Sequence, residues 1–436
     1  MSRASIFWVS IFLVLTLCGS INYAGELEGS PRLQAQPIAI QSLSALIRAY
    51  LDSGDGQEAQ DVLARILTHP KADLEMVSRV IGAGRSYGNE PVGLYPNVPV
   101  QVRGKTQGYG LYVPSSYDPA TPYPLVVCLH GAGFTGATYL ERWQPRLGDS
   151  YILACPTYYQ GAWWTRFGED LVLATIRAVR ARYHIDPDRI LLTGMSNGGI
   201  GAWIIGMHRA PLFAGVAPMA SGVDDVLFPF LKNLSQTSVY IIHGARDRIM
   251  PVALSRQIVR ELDRLSVNYI YREHDHTHPH AGGHFFPRPE LPALVSWFGK
   301  QQRNPFPHTV TLVRDASHLT EFGWVRIDAT DRIAMFSEAL TDSRDEFVKN
   351  RIYAELDVSI VGSSRIEVRT TRVRRYTIFL NHHLVDLSQP VTVVTNDVMS
   401  FQGVVKPDLE TLLREARRRQ DPRMLFPIQL TLDVEK

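Results

Sequence analysis

A serine, an aspartate and a histidine occur along this chain in the order in which a nucleophile, an orienting acid and a base can be assembled. The serine is Ser196, within Gly194-Met195-Ser196-Asn197-Gly198, and Gly199 follows. A bare G-x-S-x-G arises often by chance. Here the apolar run RILLTG precedes it and the helical pattern GIGAWIIGMH follows, which describes a sharp turn that exposes a serine hydroxyl. Small flanking residues let strand and helix approach each other. The N–H of Asn197 and the helix N-terminus then face the point where negative charge develops.

A serine hydroxyl is a weak nucleophile and needs a base, which in turn needs an orienting acid. Asp247 lies just past the apolar run SVYIIHG, in a loop closed by Pro251. Strand-end loops are where a parallel sheet presents such groups. Asp224 and Asp225, after the preceding strand, are the alternative acids. The base comes from HDHTHPHAGGH, residues 274 to 284, which holds five histidines. His284 is selected because Gly282 and Gly283 let the backbone turn toward the nucleophile; His280 is second. His274, His276, His278 and His280 alternate, so an extended segment would aim them the same way. Imidazoles in such a row suit zinc, but carboxylate ligands are sparse around them. The reading assigns no metal and no cofactor, one working base and four neighbours.

The stretch CLHGAGFTG places small residues after an apolar strand, leaving backbone N–H groups free to point at a reacting oxygen. Ala132 is the main expected donor, Gly133 its alternative and Asn197 its partner, with His130 holding the loop by hydrogen bonds. One such donor is worth about 2.7–4 kcal/mol of transition-state stabilisation. The aromatics of PTYYQGAWWTRF, chiefly Tyr158, Trp163 and Trp164, are candidates for stacking on substrate.

The elements that must hold these residues follow from periodicity. Near-continuous apolar runs such as PLVVCLHG, YILACP, RILLTG, GVAPMAS and SVYIIHG alternate with helical stretches. That implies a mostly parallel sheet covered on both faces, an α/β class fold over residues 96–304. Residues 25–95 read as a helical lead-in, with Leu and Ile at three- and four-residue spacing. Beyond 305, RIEVRT, YTIFL, VTVVT and IQLTLDV alternate at period two, as antiparallel strands exposed on one face do. Residues 305–436 are therefore expected to form a separate β-rich domain. Its one helix, PDLETLLREARRR, opens at Pro407, and its arginines are expected to form a solvated face.

Composition narrows the class. The 436 residues are 45% hydrophobic and 20% charged, with net charge +2, which offers no basic surface for nucleic acid. Residues 1–24 carry a positive start and the apolar run Ile6–Leu17, too short to span a bilayer of about 20 helical residues. They read as a secretory signal cleaved after Ala24, with lipidation of Cys18 as the rival, so a secreted or periplasmic protein without a transmembrane span is expected. Cys128 and Cys155 read as buried thiols of neighbouring strands.

Taken together, YVPSSYDPATPYPLVVCLHGAG, YHIDPDRILLTGMSNGG, HGARDRIMP and GGH resemble the α/β-hydrolase superfamily. Within it they resemble secreted polyhydroxybutyrate-depolymerase, feruloyl-esterase and related carboxylesterases, over roughly residues 96–300. The resemblance implies the α/β-hydrolase fold and a cofactor-free serine esterase acting on a small or polymeric ester. It implies Ser196, Asp247 and His284 as nucleophile, acid and base, and Ala132 and Asn197 as oxyanion donors. The long histidine-rich approach to His284 departs from the family pattern. Rival readings are a prolyl-oligopeptidase-type peptidase on the same fold, a binding module on a degenerate scaffold, and a histidine-based metalloenzyme.

Overall fold

The computed structural model describes residues 42–314, 319–334 and 342–435. The expected signal segment, Cys18 and the first part of the helical lead-in lie outside the described residues. Three helices come first: α1 (Leu43–Asp52), α2 (Gln57–Leu67) and α3 (Leu74–Gly82). Then follow β1 (Gly93–Val102), β2 (Lys105–Val113), β3 (Tyr123–Leu129), α4 (Gly136–Leu147), β4 (Ile152–Pro156), α5 (Arg166–Arg182), β5 (Ile185–Met195), α6 (Asn197–Arg209), β6 (Gly215–Met219), β7 (Ser238–Gly244), α7 (Ala253–Arg264), β8 (Tyr269–His274) and α8 (Leu291–Lys300).

The strands form an eight-stranded sheet in the order β1-β2-β4-β3-β5-β6-β7-β8. From β4 to β8 all neighbours run parallel, while β1 and β2 add an antiparallel edge. This is the α/β-hydrolase fold, a mostly parallel sheet flanked by helices. The central strands are buried on both faces: Leu125, Val126, Val127, Cys128 and Leu129 of β3 are wholly inaccessible, as are Ile190, Leu191 and Leu192 of β5. Strands of that kind read as continuous apolar runs because both pleats face a helix. Cys128 and Cys155 are free and buried on the adjacent strands β3 and β4. The β1 segment, GLYPNVPVQV, has no such run. Its burial alternates only in its last half, as suits an edge hairpin.

The remainder is β9 (Thr309–Arg314), β10 (Glu321–Phe322), β11 (Val325–Thr330), α9 (Asp342–Lys349), β12 (Ala354–Val361), β13 (Arg365–Thr371), β14 (Val373–Leu380), β15 (Val391–Thr395), β16 (Val398–Gly403), α10 (Leu409–Arg419) and β17 (Ile428–Asp433). They make a four-stranded sheet, β10-β11-β14-β17, and a five-stranded sheet, β16-β15-β13-β12-β9. The β12 strand alternates buried and half-buried residues along its length, the period-two pattern of a one-sided strand. One pair departs from the antiparallel expectation: β13 and β15 run parallel. The Leu380–Val391 connection carries the chain back to the start of β13, and no local pattern in either strand encodes that return.

Two expectations about α10 need correction. Its N-cap is Asp408, whose carboxylate accepts from the Thr411 amide at 2.7 Å, so Pro407 stands before the cap rather than in the first turn. Its arginines are a solvated face only in part: Arg414 and Arg418 are exposed, whereas Arg417 and Arg419 are largely covered. Arg419 is nearly inaccessible and pairs with Glu415 at 3.1 Å and Glu321 at 2.6 Å, while Arg418 pairs with Glu321 as well. Leu412, Leu413 and Ala416 of α10 complete the core of the three leading helices with Leu46, Ile47, Leu63, Ile66 and Val77. The helical lead-in therefore shares its core with the C-terminal region. A buried ion network ties the parts further: Arg303 meets Asp188 at 2.8 Å and Asp421 at 2.9 Å, and Arg423 meets Asp188 at 3.0 Å.

Candidate active site

Ser196 sits between β5 and α6 with φ 58° and ψ −124°. A left-handed, non-helical conformation of this kind costs a side-chain-bearing residue about 1–3 kcal/mol and persists only where the surroundings impose it. Here they do. The Ser196 amide donates to the Met219 carbonyl of β6 at 3.0 Å, and the Ser196 carbonyl accepts from Ile200 in the first turn of α6 at 3.0 Å. The flanking glycines are sterically required. A Cβ on Gly194 would come within 2.2 Å of the Gly198 carbonyl oxygen, and one on Gly198 within 2.0 Å of the Leu129 carbonyl oxygen. Strand, turn and helix are thus packed backbone to backbone, with the serine at the bend.

Asp247 lies three residues past β7. Its side chain is fully buried, and its Oδ1 accepts from the Ile249 and Met250 amides at 2.8 and 2.9 Å. Its Oδ2 lies 2.8 Å from His284 Nδ1. With Nδ1 carrying the proton, His284 keeps Nε2 for accepting another. Burial pushes the Asp247 carboxyl up, but hydrogen bonds from His243, His284 and the Met250 amide outweigh this and hold it below the usual carboxylate range.

The loop carrying His284 is locked to the loop carrying Asp247. Gly283 donates to the Arg246 carbonyl at 3.0 Å, and Arg248 donates to the Ala281 carbonyl at 3.3 Å. Gly282 has φ +59°, and a Cβ there would lie 1.9 Å from the Arg246 carbonyl oxygen. A Cβ on Gly283 would lie 2.7 Å from Gly244 Cα. Ser196, Asp247 and His284 follow β5, β7 and β8, all parallel strands, so they stand at the same carboxyl edge of the sheet.

The other histidines take varied positions. His274 ends β8, is 6% exposed, and leaves Nδ1 without a partner. A tight turn pairs His278 with Gly282, bonded at 2.6 and 2.9 Å. That turn breaks the extended run that would have aimed four rings one way. The rings instead pair as His274 with His276 and His278 with His280, 5.8 and 5.9 Å between centroids. Among the described residues, no group of three or more His, Cys, Asp or Glu is arranged to hold a metal.

The loop after β3 reaches over Ser196. A Cβ on Gly131 would lie 3.4 Å from the Ser196 Cβ, so Gly131 stands beside the serine; Ala132 and Gly133 follow it, Gly133 in a left-handed conformation. His130 is inaccessible and braces this loop. Its Nε2 accepts from the Tyr158 amide at 3.1 Å and its Nδ1 donates to the Gly131 carbonyl at 2.8 Å. Burial lowers the His130 pKa, and one accepting and one donating nitrogen fit a neutral ring.

Of the aromatic candidates, Trp163 cannot touch substrate. It is 0% exposed, and its indole N–H donates to the His130 carbonyl at 2.8 Å. It is a prop under the loop, packed edge-on against the His130 ring. Tyr158 is half-buried against Trp163 and Phe167, and Trp164 is half-buried. Asp224 caps the 3-10 stretch Asp225–Leu234, accepting from the Val226 amide. Asp225 has its carboxyl raised, chiefly by its hydrogen bond to Asp224.

One residue the sequence reading passed over belongs to the site. His243, the last residue but one of β7, is wholly buried. Its Nε2 donates to the Met250 carbonyl at 2.9 Å and lies 3.3 Å from Asp247 Oδ2. Its Nδ1 is 2.7 Å from Ser255 Oγ, whose other contact is the Ser221 carbonyl at 3.0 Å. The His-Gly-x-x-Asp spacing of HGARD was the signal available for it.

No family model matches the chain. It is 26% identical over 202 residues to a probable feruloyl esterase C of Aspergillus terreus, covering 44% of this chain and 72% of that protein. Feruloyl esterase C of Emericella nidulans is 26% identical over 35% of this chain and 58% of its own length. Poly(3-hydroxyalkanoate) depolymerase C of Paucimonas lemoignei is 30% identical over 27% of this chain and 31% of its own length. Among solved structures, a thermostable esterase superposes with TM-score 0.40 and 26% identity over 48% of this chain and 63% of that one.

Proposed function

We propose that this chain, an α/β-hydrolase-fold relative of proteins named feruloyl esterase and poly(3-hydroxyalkanoate) depolymerase, is an exported serine carboxylesterase. The observation that carries the reading is the strained Ser196 at the strand–helix bend, on the same sheet edge as the hydrogen-bonded His284–Asp247 pair. The chemistry is assigned to residues 96–304, with residues 25–95 and 305–436 as accessory regions. Export rests on the apolar run at residues 6–17. N-terminal sequencing of the mature protein is its test: a chain starting at Gly25 is expected, and a lipid-modified Cys18 would replace that reading.

In the proposed reaction Ser196 Oγ attacks the ester carbonyl while His284 Nε2 takes its proton. Asp247 accepts from Nδ1–H throughout, which holds the ring in the useful tautomer and stabilises the imidazolium as it forms. The amides of Ala132 and Asn197 receive the developing oxyanion. The imidazolium then protonates the leaving alcohol, and water attacks the acyl-enzyme by the same route in reverse. Fluorophosphonate labelling tests this directly: wild type is expected to label and Ser196→Ala is not. Labelling that survives in Ser196→Ala removes the assignment. Faster cleavage of aminoacyl-proline anilides than of 4-nitrophenyl esters would place the chain among peptidases instead.

A further inference from the structure

A small cavity of about 100 Å³ is lined by residues that adjoin Ser196 and His284 in the chain. Its walls include Met195, which precedes Ser196, and Phe285 and Phe286, which follow His284, together with Met219, Tyr139 and Trp143. The cavity thus borders the chain just before the proposed nucleophile and just after the proposed base. It is smaller than the ~150 Å³ cavity known to hold a benzene ring.

Its two charged walls are both cationic. Arg142 and Arg146 stand one turn apart on α4 and face the same space. No carboxylate lines the cavity, and among the described residues neither arginine pairs with one. Each is instead laid on aromatic rings: Arg142 is 4.4 Å from the Phe134 centroid, and Arg146 is 5.3 Å from Trp143 and 5.4 Å from Phe286. Arg303, Arg419, Arg256 and Arg272, by contrast, meet carboxylates. Burial, and after it the neighbouring Arg142 charge, disfavours the Arg146 cation. An anion between the two would relieve both effects. Guanidinium groups already fixed by stacking lose little freedom on binding one.

We propose that this cavity is a carboxylate subsite, so that the preferred esters carry a second, ionised carboxylate on a short arm that enters beside Met195. The proposal rests on the serine-esterase reading for the position of the reacting carbonyl. Charge-assisted hydrogen bonds of this type are worth ~1.5–3 kcal/mol, which amounts to about tenfold or more in kcat/KM.

The test compares 4-nitrophenyl butyrate, 4-nitrophenyl hemisuccinate and 4-butyryloxybenzoate at pH about 8, where both carboxylates are ionised. The second ester carries its anion on the acyl arm and the third on the leaving group, so the favoured one identifies the arm. Wild type is expected to favour one of them over the neutral ester by about tenfold. Arg146→Gln and Arg142→Gln should each cut that preference through KM and leave butyrate turnover within about twofold, and Arg146→Lys should restore part of it. Arg142 is exposed, so its substitution reads the subsite even if the Arg146 variant folds poorly. Equal handling of charged and neutral esters, or a preference untouched by either glutamine variant, overturns the proposal. Calorimetric titration of Ser196→Ala with succinate separates the two readings. Binding that is lost in Ser196→Ala/Arg142→Gln supports the subsite even if no ester is cleaved, and no binding to Ser196→Ala counts against it.

Discussion

His243 Nε2 lies 3.3 Å from the same Asp247 Oδ2 that His284 Nδ1 meets at 2.8 Å. One carboxylate oxygen therefore faces two imidazoles, and Oδ1 is taken by two backbone amides. The acid is thus ordered by two rings and two amides, and in the proposed mechanism the His284 ring carries that ordering to the serine.

His243→Ala is expected to lower kcat by about tenfold with KM little changed, because a slackened Asp247 no longer fixes the His284 ring. It should also destabilise the fold by about 1–3 kcal/mol, since Ser255 and the Met250 carbonyl lose a buried partner. Steady-state kinetics on a neutral ester and a urea titration read the two effects. An unchanged kcat beside lowered stability would make His243 purely structural.

Asp247→Asn should cost about 10³–10⁴-fold in kcat by favouring the wrong tautomer of His284. It also carries a pH signature. The folded carboxyl titrates below the ordinary aspartate value, so its contribution to stability is complete above the unfolded pKa of about 3.9. It is lost as pH falls through the lower folded value. The melting-temperature gap between wild type and Asp247→Asn should be flat from pH 7 to about 5 and close below about 4.

Ser196→Gly and Ser196→Ala should be equally inactive but unequally stable. The backbone at 196 suits glycine, and alanine keeps the strain. Relief of strain exceeds the extra chain entropy of glycine by about 1 kcal/mol, so Ser196→Gly should melt higher than Ser196→Ala. The reverse order would show that the bend is not strained.

Gly282→Ala forces a Cβ against the Arg246 carbonyl at a position with φ +59°. The His284 loop must shift, and a displacement of about 1 Å at a catalytic group can cost roughly 10²-fold. The expected result is a fall in kcat of that order with fluorophosphonate labelling slowed in parallel.

Arg303→Met leaves Asp421 buried with one cationic partner fewer. Breaking a buried pair from one side typically costs about 3–5 kcal/mol, and equilibrium unfolding should show a loss of that size.

The strand–serine–helix stretch is legible in sequence because its requirements are local: an apolar run, glycines in fixed positions around one serine, then a helical period. The covered parallel sheet is legible for the same reason. What eluded the sequence depends on distant partners. Arg419 of α10 looks solvent-facing until Glu321 is brought to it, and the parallel β13–β15 pair has no signature in either strand. Trp163 reads as a stacking surface because an aromatic cluster looks alike whether it faces substrate or props a loop. The bare cavity beside Met195 is made by α4 and by residues 285 and 286, which are far apart in the chain.

The sharing of one apolar core by α1, α2, α3 and α10 bears on biosynthesis. During translation from the N-terminus, the greasy faces of the first helices emerge about 340 residues before the segment that covers them. Until residue 419 is free to dock, those faces need a temporary cover. A nascent or C-terminally clipped chain should therefore be the species that chaperones hold and proteases find.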